Sequence, residues 1–311
     1  MSKVLISDSL SNLANEVFKK NNIEVDTIID LNPTQLKEII HKYDALVVRS
    51  ATKATDEIIS SGINLKIIGR AGAGVDNIDL ISAKKNNIIV MNTPGGNTNA
   101  TAEHTLSLIM SLYRSIPYAN SGTHKGLWEK KKFKGLELKG KNLGIVGFGN
   151  VGQRLSEIAI ALGMKVSVFS NSFALRKNDY PNIANLSLNE LIIQSDIISF
   201  HCKPLKDNKP MITLNELKLM KNNVVVINTA RGNLIDENDL KEALDNNIIR
   251  GAALDVFSEE PAKDNVLFGT KNLILTPHIA ASTIEAQLVV AKQIAIQISN
   301  YFNNGEIVNS L

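Results

Sequence analysis

At 311 residues the chain is too long for one small core and fits two domains. It is 44% hydrophobic and 21% charged, the composition of an ordinary soluble globular protein. Its net charge of +3, from 34 basic and 31 acidic side chains, collects into no long basic arm, so a nucleic-acid partner is not expected. The single cysteine, Cys202, excludes an intrachain disulfide and a multi-cysteine metal site, and no metal is expected. The N-terminal "MSKVLISDSL" has too short an apolar run for a signal peptide, and no stretch approaches the roughly 20 apolar residues of a membrane span. A reducing cytoplasm and no membrane partner are the expectation.

Along the chain, short apolar runs alternate with helical patterns. "KVLIS", "DALVVRS", "LKIIGR" and "NIIVMN" read as buried strands, and between them "NLANEVFKK", "TQLKEIIHK" and "DEIISSG" have the spacing of amphipathic helices. Continuous apolar strands separated by helices indicate a parallel sheet covered on both faces. The turn "NTPGGN" breaks the series, and a long helix follows from about Thr98 to Tyr113. The pattern then restarts with "KNLGIVGFG", "KVSVF", "DIISFH", "NVVVINTA", "IRGAALDV" and "NLILTPH", a second and larger α/β unit. A last helix, roughly 283–302, precedes the tail "GEIVNSL". The fold class is therefore α/β, with two doubly wound parallel sheets.

The stretch "LGIVGFGNVGQRL" carries Gly147, Gly149 and Gly152 as G-x-G-x-x-G, directly after an apolar strand and opening a helix. Gly147 permits a tight turn, Gly149 lets the backbone approach a pyrophosphate, and Gly152 allows close helix–strand contact. A second glycine-rich turn, "GRAGAGVDN", has another spacing, and the amides of Ala73, Gly74 and Val75 could form a nest for a carboxylate; a purely structural turn competes evenly.

Ionisable residues stand where ligands of α/β sheets bind, past strand ends. Arg231 follows "VVVINTA", and Asp255, Glu260 and His278 follow the last two strands. Of five histidines, His41 and His124 lie in polar segments and His104 within the long helix, while His201 and His278 follow apolar strands; composition does not choose between them. Cys202 reads as a small hydrophobe at a strand end, and the basic "KGLWEKKKFKG" as a solvated loop. Past the strand "KVSVF", where a ribose-binding acid stands about 20 residues beyond the glycine turn, the chain has Ser170 and Asn171. Neither repels a 2′-phosphate and neither supplies charge to bind one, so NAD is expected with NADP also used.

Nine stretches in order, "VVRSATK", "GRAGAGVDNID", "VMNTPGGN", "TAEHTL", "WEKKKFKGLEL", "GFGNVG", "INTARGNLIDE", "GAALDVFSEEP" and "TPHIAAST", resemble the D-isomer-specific 2-hydroxyacid dehydrogenase family over nearly the whole chain. The likeness is greatest to its branch that oxidises 3-phosphoglycerate. It implies a Rossmann nucleotide domain, residues 98–284, inserted in a flavodoxin-like substrate domain, residues 1–97 and 285–311, with the active site in the cleft between them. It implies Arg231, Glu260 and His278 as catalytic residues. His278 would move the 2-hydroxyl proton, and Glu260 would orient it and raise its pKa. Arg231 would hold the substrate carboxylate together with Ala73, Gly74 and Val75. Cofactor contacts are implied for Gly147, Gly149, Asn150, Val151, Gly152, Ser170, Asn171, His201, Cys202, Thr229, Ala230, Asp255 and Ala280. Arg49 matches a position facing the substrate phosphate, with Lys53 a weaker candidate. The likeness further implies a homodimer in which the basic stretch Lys130–Lys132 reaches the partner's site.

Three departures stand out. Ala73 replaces the usual threonine, Pro204 in "HCKPL" comes one place late, and the chain stops soon after its last helix, so a C-terminal serine-binding regulatory domain is expected to be missing. A hydroxypyruvate or glyoxylate reductase would share every catalytic residue. The family's dinucleotide-sensing corepressor branch, a binding protein, keeps the fold and triad too.

Overall fold

The computed structural model describes residues 1–205 and 207–311. In chain order the first half runs β1 (Lys3–Ile6), α1 (Leu13–Lys20), β2 (Glu24–Thr27), α2 (Pro33–Ile39), β3 (Ala45–Val48), α3 (Asp56–Ser61), β4 (Ile67–Arg70), α4 (Leu80–Lys85) and β5 (Ile89–Asn92). It continues with α5 (Thr98–Arg114), α6 (Ile116–His124), β6 (Asn142–Val146), α7 (Asn150–Ala161), β7 (Lys165–Phe169), β8 (Ala184–Asn185) and α8 (Leu188–Gln194). The remainder is β9 (Ile197–Phe200), α9 (Leu214–Leu219), β10 (Val225–Asn228), α10 (Glu237–Asp245), β11 (Gly251–Leu254), β12 (Leu273–Leu275) and α11 (Ile284–Asn304). Two compact units result: Met1–Asn97 with Ser282–Leu311, and Thr98–Ala281.

The first unit has five parallel strands in the order β2-β1-β3-β4-β5, the doubly wound order of flavodoxin-like sheets. Its central strands β1, β3 and β4 are apolar except for Lys3 and Arg70 at their ends, because both faces are covered. One face packs Val4, Ile6, Val47 and Ile67 against Phe18 of α1 and Ile294 and Ile298 of α11; the other packs Leu5, Leu46 and Ile68 against Leu36, Ile58 and Ile59. The order reverses between β1 and β3. There the buried carboxylate of Asp8 accepts the Arg49 amide at 2.5 Å, the Thr52 amide at 3.0 Å and the Thr52 hydroxyl at 2.5 Å. Asn77 Nδ2 adds bonds to the carbonyls of Arg49 and Thr52, at 2.7 and 2.6 Å. The loop that carries Arg49 is thereby tied from two sides.

The second unit has seven parallel strands, β12-β11-β10-β9-β6-β7-β8. Counting from β6, this is the Rossmann order 3-2-1-4-5-6 with one strand added. Helix α5 lays Leu108, Ile109, Leu112 and Tyr113 on one face of this sheet, and Leu191, Leu217, Leu240 and Leu244 cover the other. Among the described residues no helix is long and apolar enough to cross a membrane.

Candidate active site

In the second unit the strand order reverses between β6 and β9, and a crevice outside the carboxyl ends of such strands is where ligands bind. Gly147, just past β6, has φ +94°, a conformation side chains rarely adopt, and a Cβ there would stand 2.5 Å from the His201 carbonyl oxygen. A Cβ on Gly152 would stand 2.4 Å from the Gly147 carbonyl, so the turn, the helix and the loop after β9 close on one another only through glycine. Gly149 is the N-cap of α7, and beside it a Cβ would meet no described atom within 4 Å. The first-turn amides of Asn150 and Val151 have no partner within the helix. Backbone donors, the positive end of a helix and an open cradle fit a dinucleotide pyrophosphate.

At the end of β7, the Ser170 amide donates to Asn185 Oδ1 at 3.1 Å, and its hydroxyl lies 3.2 Å from that of Ser172. Asn171, Ser172 and Arg176 are exposed. This turn offers hydroxyls and amides without a carboxylate.

Past β9, His201 Nε2 lies 2.8 Å from the Ser199 hydroxyl, and burial pushes the imidazole down to about 3. At physiological pH it is neutral and forms no imidazolium. Burial pushes the neighbouring Cys202 thiol up to about 11, which keeps it unreactive.

Arg231, Glu260 and His278 come together past β10, β11 and β12. Asn228, buried, accepts the Ala230 amide at 3.0 Å and donates to the Arg231 carbonyl at 2.8 Å, which shapes the turn through Thr229 and Ala230. Arg231 itself donates to the Ala230 carbonyl at 2.6 Å. At Gly232 a Cβ would stand 1.8 Å from the Phe257 carbonyl carbon. Only a missing side chain lets this loop lie on the loop leading to Glu260. Glu260 Oε1 accepts the Phe257 amide at 3.0 Å, and Oε2 lies 2.6 Å from His278 Nδ1.

A carboxylate only accepts, so Nδ1 carries a hydrogen in both charge states and Nε2 is the nitrogen that gains and loses one. The Glu260 contact raises the His278 pKa; burial and Arg231 oppose it, and Asp255 adds to it. Burial would raise the Glu260 carboxyl, but His278, the Phe257 amide and Arg231 hold it below the usual range. Burial differs between the two histidines past strands, and so does the partner; only His278 is poised to be an imidazolium near neutrality.

His278 has φ +52°, a left-handed conformation costing roughly 1–2 kcal/mol for a residue with a side chain. The restraint is Asp255. Fully buried, it accepts from the Thr276 hydroxyl at 2.5 Å and the amides of Ile279 at 2.9 Å and Ala280 at 2.8 Å. Burial alone would raise its pKa, but His104, Thr276 and these amides together lower it. Both oxygens thus point inward, to the His278 turn.

Sequence reasoning missed the contribution of α5. Thr105 gives its hydroxyl hydrogen to the Thr101 carbonyl at 2.8 Å, so at the 2.9 Å contact with Thr229 the Thr229 hydroxyl donates. His104 reaches Thr276. The available signal was spacing: His104 is three after buried Thr101 and four before buried Leu108, on the stripe that faces the sheet.

In the first unit, Arg49 Nη1 donates to the Ser9 carbonyl at 3.2 Å, and Lys53 is exposed. Ala73, at the surface, has its carbonyl held by Asn92 Nδ2 at 2.6 Å. The amides of Ala73, Gly74 and Val75 make no hydrogen bond among the described residues. Lys130, Lys131 and Lys132 are exposed in the second unit, and no metal-holding cluster of His, Cys, Asp and Glu occurs among the described residues.

Residues 106–280 match the family model for the D-isomer specific 2-hydroxyacid dehydrogenase, NAD binding domain. A D-3-phosphoglycerate dehydrogenase of Archaeoglobus fulgidus is 41% identical over 96% of this chain; the chain spans 57% of that relative's length. A crystal structure of NAD⁺-bound 3-phosphoglycerate dehydrogenase from Entamoeba histolytica superposes with a TM-score of 0.85 at 30% identity, covering 100% of this chain and 98% of that one. An acyclic imino acid reductase in complex with NADPH and D-Arg superposes with a TM-score of 0.88 at 32% identity, over 99% of each chain.

Proposed function

The chain belongs to the D-isomer specific 2-hydroxyacid dehydrogenase family, and from that premise we propose that it interconverts 3-phosphoglycerate and 3-phosphohydroxypyruvate with a nicotinamide cofactor, the entry to serine synthesis. The observation that carries the reading is the 2.6 Å pair of His278 Nδ1 and Glu260 Oε2, with Arg231 close enough to influence both. The relatives named D-3-phosphoglycerate dehydrogenase support the substrate.

In the reducing direction His278, as imidazolium, gives the Nε2 proton to the 2-keto oxygen. In oxidation neutral Nε2 takes the proton from the 2-hydroxyl. Glu260 stabilises the imidazolium and holds the ring. Arg231 offers its planar fork to the substrate carboxylate, and the amides of Ala73–Val75 are the first unit's own candidate donors to an anion. Arg49, with Lys53 weaker, takes the phosphate. When bound, the nicotinamide supplies or accepts the hydride at C2. Its pyrophosphate would be held by Gly147, Gly149, Asn150, Val151 and Gly152, and its adenosine ribose by Ser170 and Asn171. Thr229, Ala230, His201, Cys202 and Ala280 would line the nicotinamide side. Asp255 serves that side through the turn it holds.

The protein acts as a cytoplasmic homodimer. The exposed apolar residues Ile116, Tyr118, Leu127 and Trp128, the last 86% exposed, support an interface on and after α6. The test is a kinetic panel of phosphohydroxypyruvate, hydroxypyruvate and glyoxylate with NADH and NADPH. The expected result is a kcat/KM highest for phosphohydroxypyruvate; equal or better use of an unphosphorylated acid would overturn the substrate, and no turnover would overturn the enzyme.

A further inference from the structure

Three histidines, His41, His104 and His124, remain outside the proposed chemistry, and His104 reaches the residues that hold the His278 turn. His104, on α5, has 19% of its side chain exposed, and its Nε2 lies 3.2 Å from Thr276 Oγ1 and 3.4 Å from Asp255 Oδ1. The hydrogens can be placed. Thr276 gives its own to Asp255 at 2.5 Å, so towards His104 the hydroxyl only accepts, as does the carboxylate. Nε2 therefore carries a hydrogen, shared between two oxygens. Asp255 also receives the amides of Ile279 and Ala280. These attachments bracket His278, two residues before it and one and two after, and its φ of +52° needs such restraint.

We propose that His104 is a positioning residue: its Nε2–H fixes the Asp255 carboxylate and the Thr276 hydroxyl, and these hold the turn 276–280 so that His278 keeps its ring against Glu260. The proposal rests on the reading of His278 as the proton carrier. It assigns His104 no contact with substrate. A histidine that only filled space between α5 and the strands would be replaceable by any side chain of similar bulk, whereas a latch needs a donor.

The test compares His104→Leu, which fills the space without a donor, with His104→Gln, whose amide can donate. The Leu variant is expected to lose about 10- to 100-fold in kcat for keto-acid reduction, as small misplacements of a reacting group do. Its KM values should stay within about threefold, the signature of an interaction made in the transition state. The Gln variant should recover most of the loss. A second readout needs no turnover: an NMR titration of the five histidine rings, with His278 assigned by His278→Ala. His278 faces the charges of Glu260, Asp255 and Arg231. In the Leu variant its midpoint should move down towards the ordinary value of about 6.5 as the Glu260 contact loosens, while Gln should keep the wild-type midpoint. Equal losses in Leu and Gln, or wild-type kcat and titration in Leu, would overturn the latch. If the Leu variant does not fold, Thr276→Val removes the hydroxyl at the centre and is expected to show the same two effects; wild-type behaviour there overturns it equally. Should the wild-type protein reduce no 2-keto acid, the proposed function fails, and the titration still decides the latch.

Discussion

Nδ1 of His278 stands 2.6 Å from Oε2 of Glu260, and the same Glu260 carboxylate accepts the Phe257 amide through its other oxygen. Both oxygens are thus engaged, and the ring is held by a carboxylate that is itself held. The pH dependence follows by sign. A raised histidine contributes stability that is complete below its unfolded pKa of about 6.5 and is lost as pH rises through the folded value. A depressed glutamate contributes above its unfolded value of about 4.3 and loses this as pH falls through the folded value. Glu260→Gln should therefore destabilise most between about pH 4.5 and 6.5. In keto-acid reduction, which needs the imidazolium, the fall of kcat/KM with rising pH should shift to lower pH in this variant. A pH–rate profile superposable on that of the wild type would contradict the assignment.

His278→Ala should reduce turnover by roughly 10²–10⁴-fold, the usual worth of a positioned acid–base group, with dinucleotide affinity little changed. His201→Ala should do much less, because burial lowers its pKa and leaves it a weak base that forms no imidazolium near neutrality. Single-turnover reduction and dinucleotide fluorescence titration measure the two quantities. Reversed effects would exchange the roles.

Gly232→Ala places a methyl group 1.8 Å from the Phe257 carbonyl carbon, a backbone atom that cannot rotate away. The loops bearing Arg231 and Glu260 must then separate or the variant must unfold. A loss of more than about 4 kcal/mol is the expectation for overpacking against backbone, or else a folded protein with a normal dinucleotide Kd and little activity. Thermal unfolding and activity measured together check this; a stable, fully active variant would not be compatible with the observed contact.

Arg49→Ala should hurt reduction of phosphohydroxypyruvate far more than that of hydroxypyruvate, since the anion it is proposed to meet is the phosphate. Arg231→Lys should weaken both substrates alike, because the planar fork lost is proposed to serve the carboxylate they share. A kcat/KM comparison across both acids separates the two roles, and equal losses for Arg49→Ala would remove its phosphate assignment.

The turn after β7 offers neutral donors and acceptors only, so a modest preference for NADH with measurable use of NADPH is expected. Ser170→Asp should sharpen the preference by like-charge repulsion of the 2′-phosphate, and Asn171→Arg should move it towards NADPH. Native kcat/KM at least tenfold (about 1.4 kcal/mol) higher with NADPH would refute the preference, and exposed Arg176 would be the first residue to substitute.

The strands β1, β3–β6 and β9–β11 were legible because burial writes them as largely apolar runs, whereas β7, "KVSVF", and β12, "LIL", are only partly buried and were legible by their β-branched, aromatic and aliphatic residues. β2, "EVDT", was not: it is an edge strand, half-exposed and polar, held by pairing with β1 that no local pattern announces. Two-residue β8 carries too little sequence to show a period. α6 buries none of its residues and so lacks an apolar stripe. In the candidate site, Gly147 and the strand-end residues Arg231, Glu260 and His278 could be picked out because position past a strand is a local property. The choice between His201 and His278 could not, since it depends on burial and on Glu260, eighteen residues away from His278. His104 and Asp255 are separated by 151 positions, and their meeting is a product of the fold alone.

The carboxylate of Asp8 sets the two doubly wound sheets apart at the place where strand order reverses. In the first unit the place where strand order reverses is already furnished with an anion, the chain's own, seated on the amides of Arg49 and Thr52 and on the Thr52 hydroxyl. A pyrophosphate arriving there would find its donors spent and a like charge in its seat. In the second unit the corresponding place is lined by glycine and open beside Gly149. The first sheet carries its own anion at the reversal, while the second leaves its place open beside Gly149.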